Sequence, residues 1–206
     1  MPIILIRHGE ADCNVNPEIG SWHDPHLTEN GRKQVTALAL RLRESLGGSG
    51  CTMYTSHRNR AVETAQIIGA YLHMTPIIES ELDEYRHGLD PDVTTSEAKS
   101  YWGERCTPLK DWRPYRDGES VEESFDRASR VIMKIEAAGD ELALVVSHSW
   151  PIDKMISYWI GFKIDELPPF IFRTSNTGIT VLNYRRGERV VDRVNDTMHL
   201  GEYLGS

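Results

Sequence analysis

Two histidines stand in equivalent surroundings far apart in the chain. His8 lies in Arg7-His8-Gly9-Glu10, directly after the apolar run Ile3 to Ile6, and His148 lies in Ser147-His148-Ser149, directly after Leu142 to Val146. Each run is short and unbroken, the pattern of a strand buried on both faces. In open α/β sheets ligands bind just beyond the carboxyl ends of the strands, and adjacent strands would bring the two imidazoles together there. A single histidine at a strand end often only caps a turn, so the paired placement is what carries information. Arg60 adds charge: it follows Thr55-Ser56-His57 and leads into the helical Ala61-Val62-Glu63-Thr64-Ala65. An arginine at a helix start combines a guanidinium fork with free backbone N–H groups and the positive end of the helix dipole, which suits phosphate. Arg58 reads instead as part of a solvated first turn. Glu84, in Leu82-Asp83-Glu84-Tyr85-Arg86, reads by itself as a solvated loop carboxylate.

The elements that must position these groups alternate between two periodicities. A third short strand fits Met53 to Thr55. Val35, Leu38, Ala39, Leu42 and Leu46 recur at helical spacing, as do Ala61, Ala65, Ile68 and Leu72, after which Pro76 prevents continuation. Ser120 with Glu123 forms a capping box for a third helix through Phe125, Ala128, Ile132 and Ile135. A fourth begins near Pro151 and ends at Gly161. Ile179 to Tyr184, the turn Arg186-Gly187 and Val190 to Val194 predict a hairpin. The expected fold class is α/β: a three-layer sandwich with a mostly parallel central sheet flanked by helices and a C-terminal antiparallel hairpin. A single domain over residues 1–206 is expected, since the nearest thing to a break is the glycine-rich stretch Gly47 to Gly50.

Composition narrows the function class. The chain has 206 residues, 39% hydrophobic and 26% charged, which excludes global disorder, and no stretch approaches the ~20 apolar residues of a membrane span. The N-terminal segment lacks the pattern of a signal peptide, so a cytoplasmic location is expected, with no membrane partner. A formal net charge of -8 argues against broad nucleic-acid binding, and any anionic substrate must be held by local arginines. Cys13, Cys51 and Cys106 read as reduced thiols without metal spacing, and no metal or cofactor is expected.

Taken in order, these segments resemble the histidine phosphatase superfamily, whose branches include cofactor-dependent phosphoglycerate mutases and many small phosphatases. Leu5-Ile6-Arg7-His8-Gly9-Glu10 with Asn14 looks like its opening signature, and Asp24 with Leu27-Thr28-Glu29 and Gly31 resembles the segment that follows. Ser56 with Arg60-Ala61 and Thr64-Ala65, then Glu84, Gly118-Glu119-Ser120 and Val145-Val146-Ser147-His148, match later motifs. The resemblance implies that His8 is the nucleophile, that Arg7, Asn14, Arg60 and His148 hold the phosphoryl group, and that Glu84 is the proton donor. It implies His8 neutral and His148 charged once phosphate is bound. The departures are Ser149-Trp150, where glycine often follows the second histidine, and His57, where many relatives have proline.

The expected activity is metal-independent hydrolysis of a small phosphorylated metabolite through a phosphohistidine. The alternatives are a phosphoglycerate-type mutase and a non-catalytic phospholigand-binding protein. A serine hydrolase is weaker still, because no G-x-S-x-G elbow occurs. A mutase would need a second basic set, yet Val15 to Trp22 carries only Glu18 as a charge, while the segment from Gly88 to Gly118 holds Lys99, Arg105, Lys110, Arg113 and Arg116. Ser21, Trp22, Arg86 and Ser149 are the expected substrate-pocket residues, although tryptophans such as Trp22, Trp102, Trp112 and Trp150 more often pack than recognise. Oligomeric state stays open, a dimer included.

Overall fold

The apolar runs become strands of one sheet: β1 Ile3–Arg7, β2 Thr52–Thr55, β3 Ile77–Ile78, β4 Ala143–Ser147, β5 Ile179–Arg185 and β6 Glu188–Asp196, in the order β3-β2-β4-β1-β5-β6. This is a computed structural model, and it describes residues 1–47, 50–166 and 171–204, so residues 48 and 49 of the glycine-rich break lie outside it. β1, β4, β2 and β3 run parallel, and β5 and β6 are antiparallel to their neighbours.

Alternation along β1 splits the core in two. Ile3 and Leu5 pack with Ile132, Ile135, Ile152 and Met155 on one face, whereas Ile4 and Ile6 pack with Val35, Leu38, Ala65 and Ile68 on the other. The helices therefore form two outer layers: α2 Glu29–Leu46 and α3 Asn59–Leu72 against one face, α5 Val121–Ala138 and α6 Ser149–Trp159 against the other. Two short helices, α1 Asp12–Val15 and α4 Thr95–Ser100, sit in the connections. The expected three-layer sandwich and C-terminal hairpin are both present.

Local chemistry sets the boundaries. Ser120 accepts from the Glu123 N–H at 3.1 Å while Glu123 accepts from the Ser120 N–H at 2.8 Å, closing the capping box of α5. Arg186 and Gly187 both adopt positive φ, 55° and 84°, the turn that matches the right-handed twist of a hairpin. α6 starts two residues before Pro151, with His148 as its extended N-cap and the proline inside the first turn. None of the described helices is long and apolar enough to cross a membrane.

Candidate active site

The parallel register of β1 and β4 pairs Arg7 with Ser147, so the next residue on each strand is a histidine. The His8 N–H donates to Ser147 O at 3.0 Å, and the two imidazole centroids lie 5.1 Å apart. Both rings are buried. Close approach of α2 to this strand end needs two glycines: a Cβ on Gly31 would stand 2.0 Å from Glu10 O, and one on Gly9 2.6 Å from a Val35 methyl.

Hydrogen bonds fix the tautomer of His8. Gly9 O can only accept, so the contact of 2.7 Å puts the proton on Nδ1. Arg60 Nε–H can only donate, and it reaches His8 Nε2 at 3.2 Å. Nε2 therefore carries the lone pair. Burial, Arg60 and Arg7 all push the His8 pKa well below the usual imidazole value, which keeps that lone pair available at neutral pH. His148 sits 2.9 Å from the Ser56 hydroxyl, and burial followed by Arg60, His8, Arg58 and Arg7 pushes its pKa well down too. The second charge expected on His148 is thus absent from the ligand-free site, where the ring is neutral with one N–H; a bound phosphate dianion would raise its pKa and favour uptake of the second proton from solvent.

Several donors here have no acceptor. Arg7 Nε, Arg60 Nη2 and His148 Nδ1 are buried without a hydrogen-bond partner. Such groups are rare in folded proteins because each forfeits ~1–3 kcal/mol of solvation, and three around one histidine describe a socket for an anion with several oxygens. Arg60 is the second residue of α3, and His148 caps α6, so the positive ends of two helix dipoles face the same corner of the sheet. Arg7 is steered by Nη1 donating to Thr174 O, and it loses basicity chiefly to burial. Asn14 Oδ1 accepts from the Ala11 N–H at 2.9 Å and from Asn176 Nδ2 at 3.1 Å.

The Glu84 loop is far from a solvated connection. Asp83 is buried, accepts from Arg58 Nε at 2.7 Å and from the Glu84 N–H at 2.9 Å, so Arg58 is an anchor rather than the solvated residue expected. The Ser147 hydroxyl donates to Leu82 O at 2.7 Å. The Glu84 side chain, partly exposed, accepts from the Tyr85 N–H at 2.9 Å and lies near enough to Arg7 to favour its charge.

The family profile of the histidine phosphatase superfamily (branch 1) matches residues 3–197. The chain belongs to that superfamily. The rat 6-phosphofructo-2-kinase/fructose-2,6-bisphosphatase 1 is 32% identical over 170 residues, 81% of this chain, and the chain spans about a third (34%) of that relative's length. Phosphoserine phosphatase 1 of Hydrogenobacter thermophilus is 26% identical over 206 residues, covering 98% of this chain and 95% of its own. Among solved structures, Entamoeba histolytica phosphoserine phosphatase in complex with 3-phosphoglyceric acid shares the fold with a TM-score of 0.77 at 24% identity, covering 97% and 98% of the two chains.

In this superfamily member a cavity of about 220 Å³ opens beside Glu84, lined by Ser21, Tyr85, His87, Trp102, Pro114, Tyr115, Ser149 and Trp150. Trp22 stands one layer back, its ring 5.2 Å from His87 and its indole N–H on Val93 O at 3.0 Å. Arg86 is not brought in: it lines a separate cleft of about 500 Å³ with Arg113, Glu119 and Arg127. That larger cleft contains neither His8 nor His148, and four of its charges are paired, Arg113 with Glu123 and Arg127 with Glu119. Among the described residues no three His, Cys, Asp or Glu side chains cluster as metal ligands.

Sequence reasoning named Thr64 only as part of a motif, without a role, and missed Asn176 and Arg127. Thr64 Oγ1 accepts from the Gly9 N–H at 3.1 Å and donates to Arg60 O at 2.7 Å, tying nucleophile strand to arginine helix. Asn176 Nδ2 donates to His8 O at 3.1 Å. Arg127, fully buried on α5, forms a bidentate pair with Glu119 at 2.6 and 3.1 Å and donates to Glu81 O and, at 2.7 Å, to Asp83 O. It holds the backbone that presents Glu84. Arg127→Met leaves Glu119 buried without its cation and is expected to cost about 3–5 kcal/mol in urea unfolding. Adding Glu119→Gln should restore much of that stability, but turnover of alkyl phosphates should stay low because the two carbonyls remain unheld. Wild-type turnover in the double variant would show that Arg127 does not position Glu84.

Proposed function

We propose that this chain hydrolyses small phosphate monoesters, without metal or cofactor, by passing the phosphoryl group through His8 Nε2. The observation that carries the reading is the Nε2 lone pair of His8 set among buried donors that lack acceptors. Substrate oxygens take the place of His8 Nε2 as acceptor for Arg60 Nε–H, which frees the lone pair to attack phosphorus. Arg7, Arg60 and His148 then share the charge that spreads over the three equatorial oxygens. As the P–O bond breaks, the Glu84 carboxyl protonates the leaving oxygen. In the second half Glu84 takes a proton from water, and water displaces the phosphoryl group from Nε2. The Nδ1–H bond to Gly9 O stabilises the positive ring while the phosphoryl is attached.

Hydrolysis is preferred to isomerisation because the segment considered as a second anion site contributes rings instead of cations. Trp102, Pro114 and Tyr115 reach the cavity, while Lys110 pairs with Asp165, Arg113 with Glu123, and Arg105 covers the Trp112 ring. Similarity to a phosphoserine phosphatase over nearly both full chains supports the same choice. The test supplies 3-phosphoglycerate with catalytic 2,3-bisphosphoglycerate beside a panel of other monoesters, all with EDTA. Phosphate release without 2-phosphoglycerate formation is expected. Rapid isomerisation with little free phosphate, or complete loss of activity on chelation, would overturn the reading.

A further inference from the structure

The cavity beside Glu84 is walled by faces and edges of aromatic rings. Tyr85 meets His87 and Trp150 at 5.2 Å between centroids, Tyr115 meets His87 at 5.0 Å, and Trp102 meets Tyr115 edge-on at 5.3 Å and 87°. Trp102 remains 53% exposed, an indole left half in water at the mouth. No lysine or arginine is among the described residues that line it. His87 adds no charge at neutral pH, because burial, Arg58 and Arg60 push its pKa down to about 4. A carboxylate or second phosphate on the substrate finds no cation here.

An ammonium substituent would meet one wall already occupied: Lys154, which does not line the cavity, places its Nζ 4.7 Å from the Trp150 ring centroid. The volume also discriminates: about 220 Å³ falls below the ~300–1,000 Å³ of sites for drug-sized ligands, but exceeds the ~150 Å³ that holds benzene. It suits one ring system. From the ring walls, the missing cations and this size, we propose that the preferred substrate is a phosphomonoester whose alcohol carries a flat, uncharged aromatic ring, stacked between Trp102, Tyr115 and Trp150. The proposal rests on the phosphatase reading, which places the phosphoryl group at His8 and the leaving group beside Glu84.

Non-hydrolysable phosphonates separate the two ideas, since they report binding to the intact enzyme without turnover. Calorimetric titration of wild type with 2-phenylethylphosphonate and with propylphosphonate compares ring and no ring on the same anion. The ring should tighten binding ~10- to 100-fold, the range of stacking on aromatic side chains. Trp102→Ala should cut that ratio ~10-fold, losing most of its effect on the ring-bearing ligand. Equal affinity for the two phosphonates, or tighter binding of 2-(trimethylammonio)ethyl phosphonate or of the phosphonate analogue of 3-phosphoglycerate, would overturn the proposal. Benzyl and ethyl phosphate, esters of primary alcohols, then report turnover. Hydrolysis of both without ring preference in binding sinks the ring proposal and spares the phosphatase reading; ring preference with no ester hydrolysed does the reverse.

Discussion

His8→Ala is expected to lower phosphate release ~10⁴-fold or more, the scale at which removal of a covalent nucleophile acts. The magnitude follows from the absence of a substitute. His148, whose ring lies 5.1 Å from that of His8, is the nearest imidazole, but its Nε2 is engaged with Ser56 and, among the described residues, no Arg N–H holds a lone pair of it ready as Arg60 does for His8. Circular dichroism should remain native, because the neighbours of His8 are held independently: Arg60 by α3, Gly9 by Thr64. A rapid quench of wild type should trap an acid-labile, base-stable phosphoenzyme, as a P–N bond requires. The phosphoryl should be on Nε2, since Nδ1 is committed to Gly9 O. Wild-type rates in the alanine variant, or an acid-stable adduct, would transfer the chemistry to another residue.

Glu84→Gln should slow hydrolysis of an alkyl phosphate ~10²- to 10⁴-fold, the usual contribution of a general acid. An aryl phosphate with a good leaving group needs little protonation, so its phosphorylation step should suffer much less. The contrast is what makes the test specific. Glutamine keeps the carbonyl oxygen that accepts from the Tyr85 N–H, so the loop should stay in place while the transferable proton is removed. Burst kinetics separate the half-reactions. Equal slowing of phosphorylation for both ester types would point to another acid, with Asp83 weakened as a candidate by its ion pair with Arg58.

Legibility from sequence tracked how far each signal depended on neighbours in the chain. The apolar runs of β1 and β4, Ile3 to Ile6 and Ala143 to Val146, are unbroken because helices cover both faces, and that composition alone marks them. The helix faces through Val35 and Leu42, or Ile132 and Ile135, were equally plain from their spacing. Arg58 was misread because its partner, Asp83, lies 25 residues away and only folding reveals it. Arg127 was missed since it sits one position off the apolar stripe of α5, where a cation normally meets water; the Glu81–Glu84 backbone covers it instead. The ring-walled cavity was illegible for a further reason. A tryptophan that packs, such as Trp112, and one that lines a pocket, such as Trp102, carry the same local pattern, and only their exposure, 4% against 53%, tells them apart.

The central position of β1 has a bearing on how the chain acquires its site. The partners of Ile3 are Ala143 and Leu182, so β1 waits about 140 residues of synthesis for its earliest neighbour. At ribosomal speed that interval is on the order of ten seconds, long enough for the local α2 and α3 pairing to settle first. Until β4 arrives, His8 has no His148 beside it and Arg7 has nothing to order its strand end. The repulsive gathering of buried arginines and imidazoles is therefore deferred to the high-contact-order step in which β4 joins β1 to β2 and completes the core on both faces of the sheet. A nascent or proteolytically shortened chain lacking residues 143–148 holds half a socket, and its arginines remain free to stay hydrated.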